Sequence, residues 1–328
     1  MKFLFASLML IFGTFSSWAA SVFPASVTDF NVYSVGDIHY SFSDFEGRAG
    51  AGGNVQFRRF FLGAKADRTQ ETLLVGGSAI LADGSVRQGG VRAVGDIRVE
   101  RVDVAGSVVA GGRVHVIDSS VNGERSRIPL SQNIFEHFSQ QLLSASDKIA
   151  ALSVNSTVSW NSQVQGLVFY AQPNIPEAVF NVSAEEFADS SMVFFSASPG
   201  TLLIVNVTGD AVDLKNKSFD FLGGVSPSSV LYNFSMAETL SLEGVKISGM
   251  VLAPRAAVLF ESGALDGNLY AGSLRGNGQV NEVPVDQRLE YFFQDVSESP
   301  APLCSALPSS QSGNLAAKIK PLLKNPNF

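Results

Sequence analysis

A six-residue unit recurs along the first third of the chain, with glycine second and apolar residues fourth and sixth. It reads Val35-Gly36-Asp37-Ile38-His39-Tyr40, then Gly52-Gly53-Asn54-Val55-Gln56-Phe57 and Gly76-Gly77-Ser78-Ala79-Ile80-Leu81. Val94-Gly95-Asp96-Ile97-Arg98-Val99 and Gly111-Gly112-Arg113-Val114-His115-Val116 follow. The starts at 35, 52, 76, 94 and 111 give spacings of 17, 24, 18 and 17. The long interval carries an extra loop around Lys65 to Gln70. Strand alternation turns the fourth and sixth residues to one side, and all ten residues at those positions are apolar. Glycine at the second position is expected to allow the sharp corner before each strand. One such turn cannot bury its apolar face alone, so stacked neighbours must supply the core.

The unit returns as Ser248-Gly249-Met250-Val251-Leu252-Ala253 and, 18 residues later, as Asp266-Gly267-Asn268-Leu269-Tyr270-Ala271. A further glycine-led strand, Gln165-Gly166-Leu167-Val168-Phe169-Tyr170, sits between the blocks. This pattern predicts an all-β fold, a β-solenoid (β-helix). A β-sandwich would also show short strands and turns, but not so regular a period in two separate blocks. One amphipathic α-helix interrupts it: Phe135, Phe138, Leu142, Ala145, Ile149 and Leu152 are spaced 3, 4, 3, 4 and 3. Pro129 and Ser131 supply its start, with Ser131 as N-cap, and its apolar stripe is expected to pack along the solenoid flank.

The N-terminus sets the compartment. Lys2, an apolar run from Phe3 to Phe15 and small residues at Ser17 and Ala19 read as a secretory signal peptide, 1–19, removed after Ala19. The remaining 309 or so residues divide into a domain, 20–296, and a flexible Pro/Ser-rich tail, 297–328. No integral membrane segment is expected after signal removal. Without Lys2 the charge is 22 basic against 30 acidic side chains, which argues against nucleic acid or anionic lipid as a partner. Cys304 is the only cysteine and lies in the tail, so burial and backbone pairing must hold the domain.

Beyond the repeat, Gly47-Arg48-Ala49-Gly50-Ala51-Gly52-Gly53-Asn54-Val55 follows Asp44 and Glu46, and Tyr232-Asn233-Phe234 comes later. Gly249-Met250-Val251-Leu252-Ala253-Pro254-Arg255-Ala256-Ala257-Val258 and Gly267-Asn268-Leu269-Tyr270-Ala271-Gly272-Ser273-Leu274 complete the set. On these segments, from about 30 to 293, the chain resembles the choice-of-anchor A domain family of bacterial surface proteins. The resemblance implies a β-helix-like adhesive domain on an extracellular protein. Two departures stand out: no Leu-Pro-x-Thr-Gly sorting signal follows the domain, and Gln279 stands where an acidic residue is expected.

Candidate chemistry is sparse. His39 and His115 share the fifth position of the unit, which suggests metal binding. Strands of neighbouring turns lie about 4.8 Å apart, so four steps separate them by about 19 Å if the turns stack in chain order. A zinc ion needs each ligand within about 2.1 Å, so solvent-facing histidines are expected. His137 falls between the apolar positions of the helix and is expected to be exposed. No Gly-x-Ser-x-Gly elbow occurs. A polysaccharide-acting β-helix lyase or hydrolase would need clustered carboxylates. The third positions Asp37, Asn54, Ser78, Asp96 and Arg113, with the fifth positions His39, Gln56, Ile80, Arg98 and His115, form a mixed face without such a cluster. They hold no Thr, so they lack the hydroxyl array of an ice-binding solenoid. Asp83-Gly84 and Asp266-Gly267-Asn268 read as turns rather than calcium sites. Asn-x-Ser/Thr sequons begin at Asn155, Asn181, Asn206, Asn216 and Asn233. The reading is therefore a secreted, adhesin-like protein with no catalytic, cofactor or metal residues. Its expected partner is an extracellular glycan, matrix or cell-surface protein.

Overall fold

The computed structural model describes residue 24 and residues 26–294. Residues 1–19, read above as a signal peptide, and residues 297–328 with Cys304 lie outside the described residues. Each six-residue unit opens a strand, and the strands Ile38–Phe45, Val55–Leu62, Ala79–Val86, Ile97–Val104 and Val114–Ile117 pair in parallel, in chain order. The register runs Ile38, Val55, Ala79, Ile97, Val114, so each unit lies on the previous one. Eight of the ten predicted inward residues are buried. Val114 and Val116 are half-buried because their strand is the last of this ladder. A second parallel ladder runs through Val32–Ser34, Ala49–Ala51, Glu71–Val75, Gly90–Ala93, Val108–Ala110 and Arg125–Arg127. The loop predicted around Lys65 to Gln70 lies between Leu62 and Glu71.

The eight-residue strands bend midway at residues with positive φ: Phe42 (60°), Arg59 (51°), Asp83 (58°) and Arg101 (53°). Asp118 (45°) continues the column beyond Val114–Ile117. A period of two carried on from Ile38 and Tyr40 would turn Phe42 inward. The left-handed residue shifts the alternation by one, so Phe42 faces solvent while Phe45, Leu62, Val86 and Val104 are buried. A third ladder thus forms from the second halves of the same strands.

In the first block the second-position glycines do not take positive φ, which corrects the expectation of a corner that only glycine can adopt there, whereas Gly249 (107°) and Gly267 (146°) in the second block do. The requirement in the first block is close approach. A Cβ on Gly53, Gly77, Gly95 or Gly112 would lie 2.3, 2.5, 2.4 or 2.1 Å from the side-chain oxygen of Asp37, Asn54, Ser78 or Asp96. Those oxygens are occupied: they accept the backbone N–H of Asn54, Ser78, Asp96 and Arg113 at 2.6, 2.9, 3.0 and 2.7 Å. Each third-position side chain therefore pins the next turn, and the glycine beside it leaves the room.

The C-terminal half stacks the same way. Lys246–Glu261 and Ala264–Gly276 pair along their length, with a register shift between Ala253 and Ala257 around Pro254. The last long strand pairs with the first strand of the chain, Val32 with Leu269 and Ser34 with Ala271, and Ile38 with Leu274. The first described strands thus lie in the middle of the stack, where the two blocks meet at a seam. Asp266-Gly267-Asn268, expected as a turn, lies within Ala264–Gly276. Gly166–Tyr170 joins Thr157–Asn161, Met192–Ser196 and Ser218–Leu222 in a separate four-stranded sheet.

Helix α1 (Asn133–Ala150) buries Phe135, Phe138, Leu142, Ala145 and Ile149, with Leu152 half-buried just past its end. They pack on Tyr33, Leu74, Leu231, Leu252 and Tyr270, the outward residues of the second ladder. Gln132, not Ser131, is its N-cap; the Ser131 hydroxyl instead accepts the Asn133 N–H at 3.3 Å. A short helix α2 (Ala184–Asp189), unpredicted, starts with a reciprocal Ser183–Glu186 capping box. Gly77→Ala should lower stability by about 1–3 kcal/mol through overpacking. Denaturant unfolding checks this, and an unchanged midpoint would mean the turn beneath yields freely.

Candidate binding surface

The second ladder is covered by the common core within and, at Leu74, Tyr33, Tyr270, Leu252 and Leu231, by α1 without; Arg92, Val109 and Ser126 on its last strands line an open depression. The outer sides of the other ladders remain open. On the first, one column runs Asp213, Ser241, Leu259, Arg275, His39, Gln56, Ile80, Arg98 and His115 across nine paired strands. His39 and His115 are four steps apart in chain order, about 19 Å, so no single ion touches both. His137 is exposed on α1. Among the described residues, no group of three or more His, Cys, Asp or Glu is arranged to hold a metal.

Charges on this surface pair along a strand and across to the next turn. Arg101 binds Asp83 at 2.6 Å and Glu100 at 2.5 Å, and Arg98 binds Glu100 at 2.7 Å. The Arg101 hydrogen bond holds the Asp83 carboxyl below its ordinary range. A different group stands out for lack of partners. Phe42 is 64% exposed and Phe61 46% exposed, with Arg59 4.8 Å from the Phe42 ring centre and Arg87 4.4 Å from that of Phe61. No catalytic or metal pattern flags these residues, and the strand alternation alone hides them; the doublet Arg58-Arg59 is their only signal in the sequence.

The segments that carry the family resemblance sit at the seam and under α1, where they hold the fold. Asn31 accepts the Gly47 N–H at 3.2 Å and donates to the Gly267 carbonyl at 2.5 Å, linking three turns. Buried Arg48 donates to the Glu71 carbonyl at 2.9 Å, and Glu71 pairs with Arg92 at 2.8 Å. Lys65 pairs with Glu46 at 2.7 Å beside Glu282. Burial raises the Glu282 carboxyl above its ordinary value, and Lys65 pulls against this. Gln279 is exposed at the end of the stack's third ladder seam. Asn233, fully buried, donates to the Ser146 carbonyl and to Asn206 Oδ1, both at 2.9 Å, and accepts the Ser146 hydroxyl at 2.7 Å. Asn206 donates to the Ile149 carbonyl at 3.1 Å, satisfying the end of α1. The sequons at Asn206 and Asn233 are thus buried anchors.

Stacked parallel strands with one side closed by a helix, and charges spread over open faces, describe a domain that presents a surface. The chain matches the family described as "Putative Ice-binding-like adhesive domain" over residues 24–282 and belongs to it. Comparison with curated proteins and with solved structures returned no match to either.

Asn233→Ala should cost about 2–4 kcal/mol, because it strands buried partners on α1 and Asn206; equilibrium unfolding measures it. Glu282 gives a pH test. Its folded-state pKa lies above the ordinary 4.5, so the folded state holds the proton more tightly and stability falls as pH rises upward from about 4.5. Glu282→Gln should flatten that fall in a pH series of unfolding midpoints.

Proposed function

We propose that this is a secreted or cell-surface, adhesin-like protein that binds an extracellular glycan, matrix or cell-surface protein without catalysis or a cofactor. In this reading the stacked parallel ladders are a β-solenoid of the choice-of-anchor A type, and contact is multivalent along its rigid open sides. The observation that carries the reading is asymmetry of burial. Most of one ladder is closed by α1 on its outer side, while the outward column from Asp213 to His115 runs uncovered by any helix over nine strands. The family's adhesive description supports the same reading.

Saturable binding of the tagged chain to cells, matrix proteins or immobilised glycans is the expected result. Turnover of a polysaccharide without retention would replace this reading with an enzyme. Thermal hysteresis or inhibition of ice recrystallisation would replace it with ice binding.

A further inference from the structure

Cations are unevenly spread along the chain. Residues 133–294 hold 7 Lys and Arg against 16 Asp and Glu, whereas residues 26–132 balance 12 against 12. Within that richer segment Arg48, Arg68, Arg92, Arg98, Arg101 and Arg127 each hold a hydrogen-bond or ion-pair partner. Arg58, Arg59 and Arg87 make no hydrogen bond or ion pair among the described residues. Asp83, the carboxylate in the same depression as the doublet, is taken by Arg101 at 2.6 Å. Ser41, Phe42, Arg58, Arg59 and Asp83 line one open depression at the strand bend. Phe61 follows Arg59 by two residues and carries Arg87 on its ring.

The backbone enforces this display. Phe42 (φ 60°) and Arg59 (φ 51°) are aligned on neighbouring strands of the left-handed column, a conformation that bulky residues rarely take. It turns the Phe42 ring and the Arg59 guanidinium outward together. Three guanidiniums whose N–H groups hold no hydrogen bond or ion pair, Arg87 with Asp44 within electrostatic reach, stand beside two exposed rings and make a site that recognises anionic groups on a ring-shaped scaffold. Guanidinium forks bind carboxylate or sulfate in bidentate fashion, while a flat ring offers an apolar platform for a sugar face.

We infer that the Phe42–Arg58–Arg59–Phe61–Arg87 patch binds an acidic polysaccharide through its carboxylate or sulfate groups. This rests on the adhesive reading and names the ligand class for it. A net charge of −7 disfavours nucleic acid, whose charge every 1.7 Å or so would meet the acidic remainder of the surface. A glycan with sparser charge can engage the patch alone.

The test measures retention of the purified chain on dextran sulfate, polygalacturonate, unmodified dextran and duplex DNA. Binding to dextran sulfate, polygalacturonate or both, weakened by salt and absent on dextran, is expected. The two acidic polymers separate sulfate from carboxylate recognition. The variant Arg58→Gln/Arg59→Gln/Arg87→Gln should bind at least tenfold more weakly with an unchanged unfolding midpoint. Phe42→Ser/Phe61→Ser should weaken binding at least threefold while leaving its salt dependence intact. Equal binding by the arginine variant, tighter binding to DNA, or no binding to either acidic polymer would overturn the inference. If the arginine variant still adheres to cells or matrix at full strength, only the ligand assignment falls; if the unaltered chain binds nothing at all, the adhesive reading falls with it.

Discussion

The structure depends on a seam between the start and the end of the chain. Val32–Ser34 and Ile38–Tyr40 pair with a strand some 236 residues later, through Leu269–Ala271 and Leu274–Gly276. Each half has an apolar interior that neighbours must cover, so without the seam two open stacks would expose their cores. Backbone pairing alone does not fix its register. Asn31 does so by accepting from Gly47 in one half and donating to Gly267 in the other. The Phe30 carbonyl adds to this by accepting from Tyr270 Oη at 3.1 Å. Closing so long a loop costs only modestly more than closing a short one, so a few well-placed buried bonds suffice to choose this pairing.

Helix α1 follows from the same arrangement. It lies across the outer side of the seam ladder, and its residues touch both halves: Phe135 and Phe138 near Tyr33, Ser146 and Ile149 at Asn233 and Asn206. Gly50 shows how tight this layer is, since a Cβ there would lie 2.7 Å from the Tyr33 ring and 2.8 Å from that of Phe30. A helix packed on one side commits that side to structure, so any binding surface is displaced to the others.

Much of this was legible in the sequence because it repeats locally. The inward pairs Ile38/Tyr40 to Ile97/Val99, the loop after Leu62 and the stripe from Phe135 to Ile149 all follow from periods of 2 and 3.6. The seam was not, because the bond from Asn31 to Gly267 joins residues that no local pattern connects. The glycine column repeats locally too, but its cause from Gly53 to Gly112 is the side chain one turn below, and only at Gly249 and Gly267 is it the positive φ of the glycine. Of the bends only that at Asp83, read as a turn with Gly84, is announced in the sequence; Phe42, Arg59 and Arg101 carry no Gly or Asn. Stacking imposes their conformation, each bend supporting the next. Since the exposed Phe and Arg residues owe their outward orientation to that bend, the candidate patch was hidden for the same reason.

The bend also explains why a ligand surface can sit there at little cost to the core. The inward positions on either side, Tyr40 and Phe45 or Phe57 and Leu62, are buried whatever occupies the residue between them. The left-handed position is therefore free to vary in chemistry as long as its backbone is held. Along this one column it carries an aromatic ring at Phe42, cations at Arg59 and Arg101 and carboxylates at Asp83 and Asp118. Where opposite charges fall on adjacent turns, as with Asp83 and Arg101, they neutralise each other. Where Phe42 stands beside Arg59, the cation keeps its donors for solvent and rests only its face on the ring. Alternation of charge along a structurally tolerant ridge thus decides which part of the surface is closed and which part can bind.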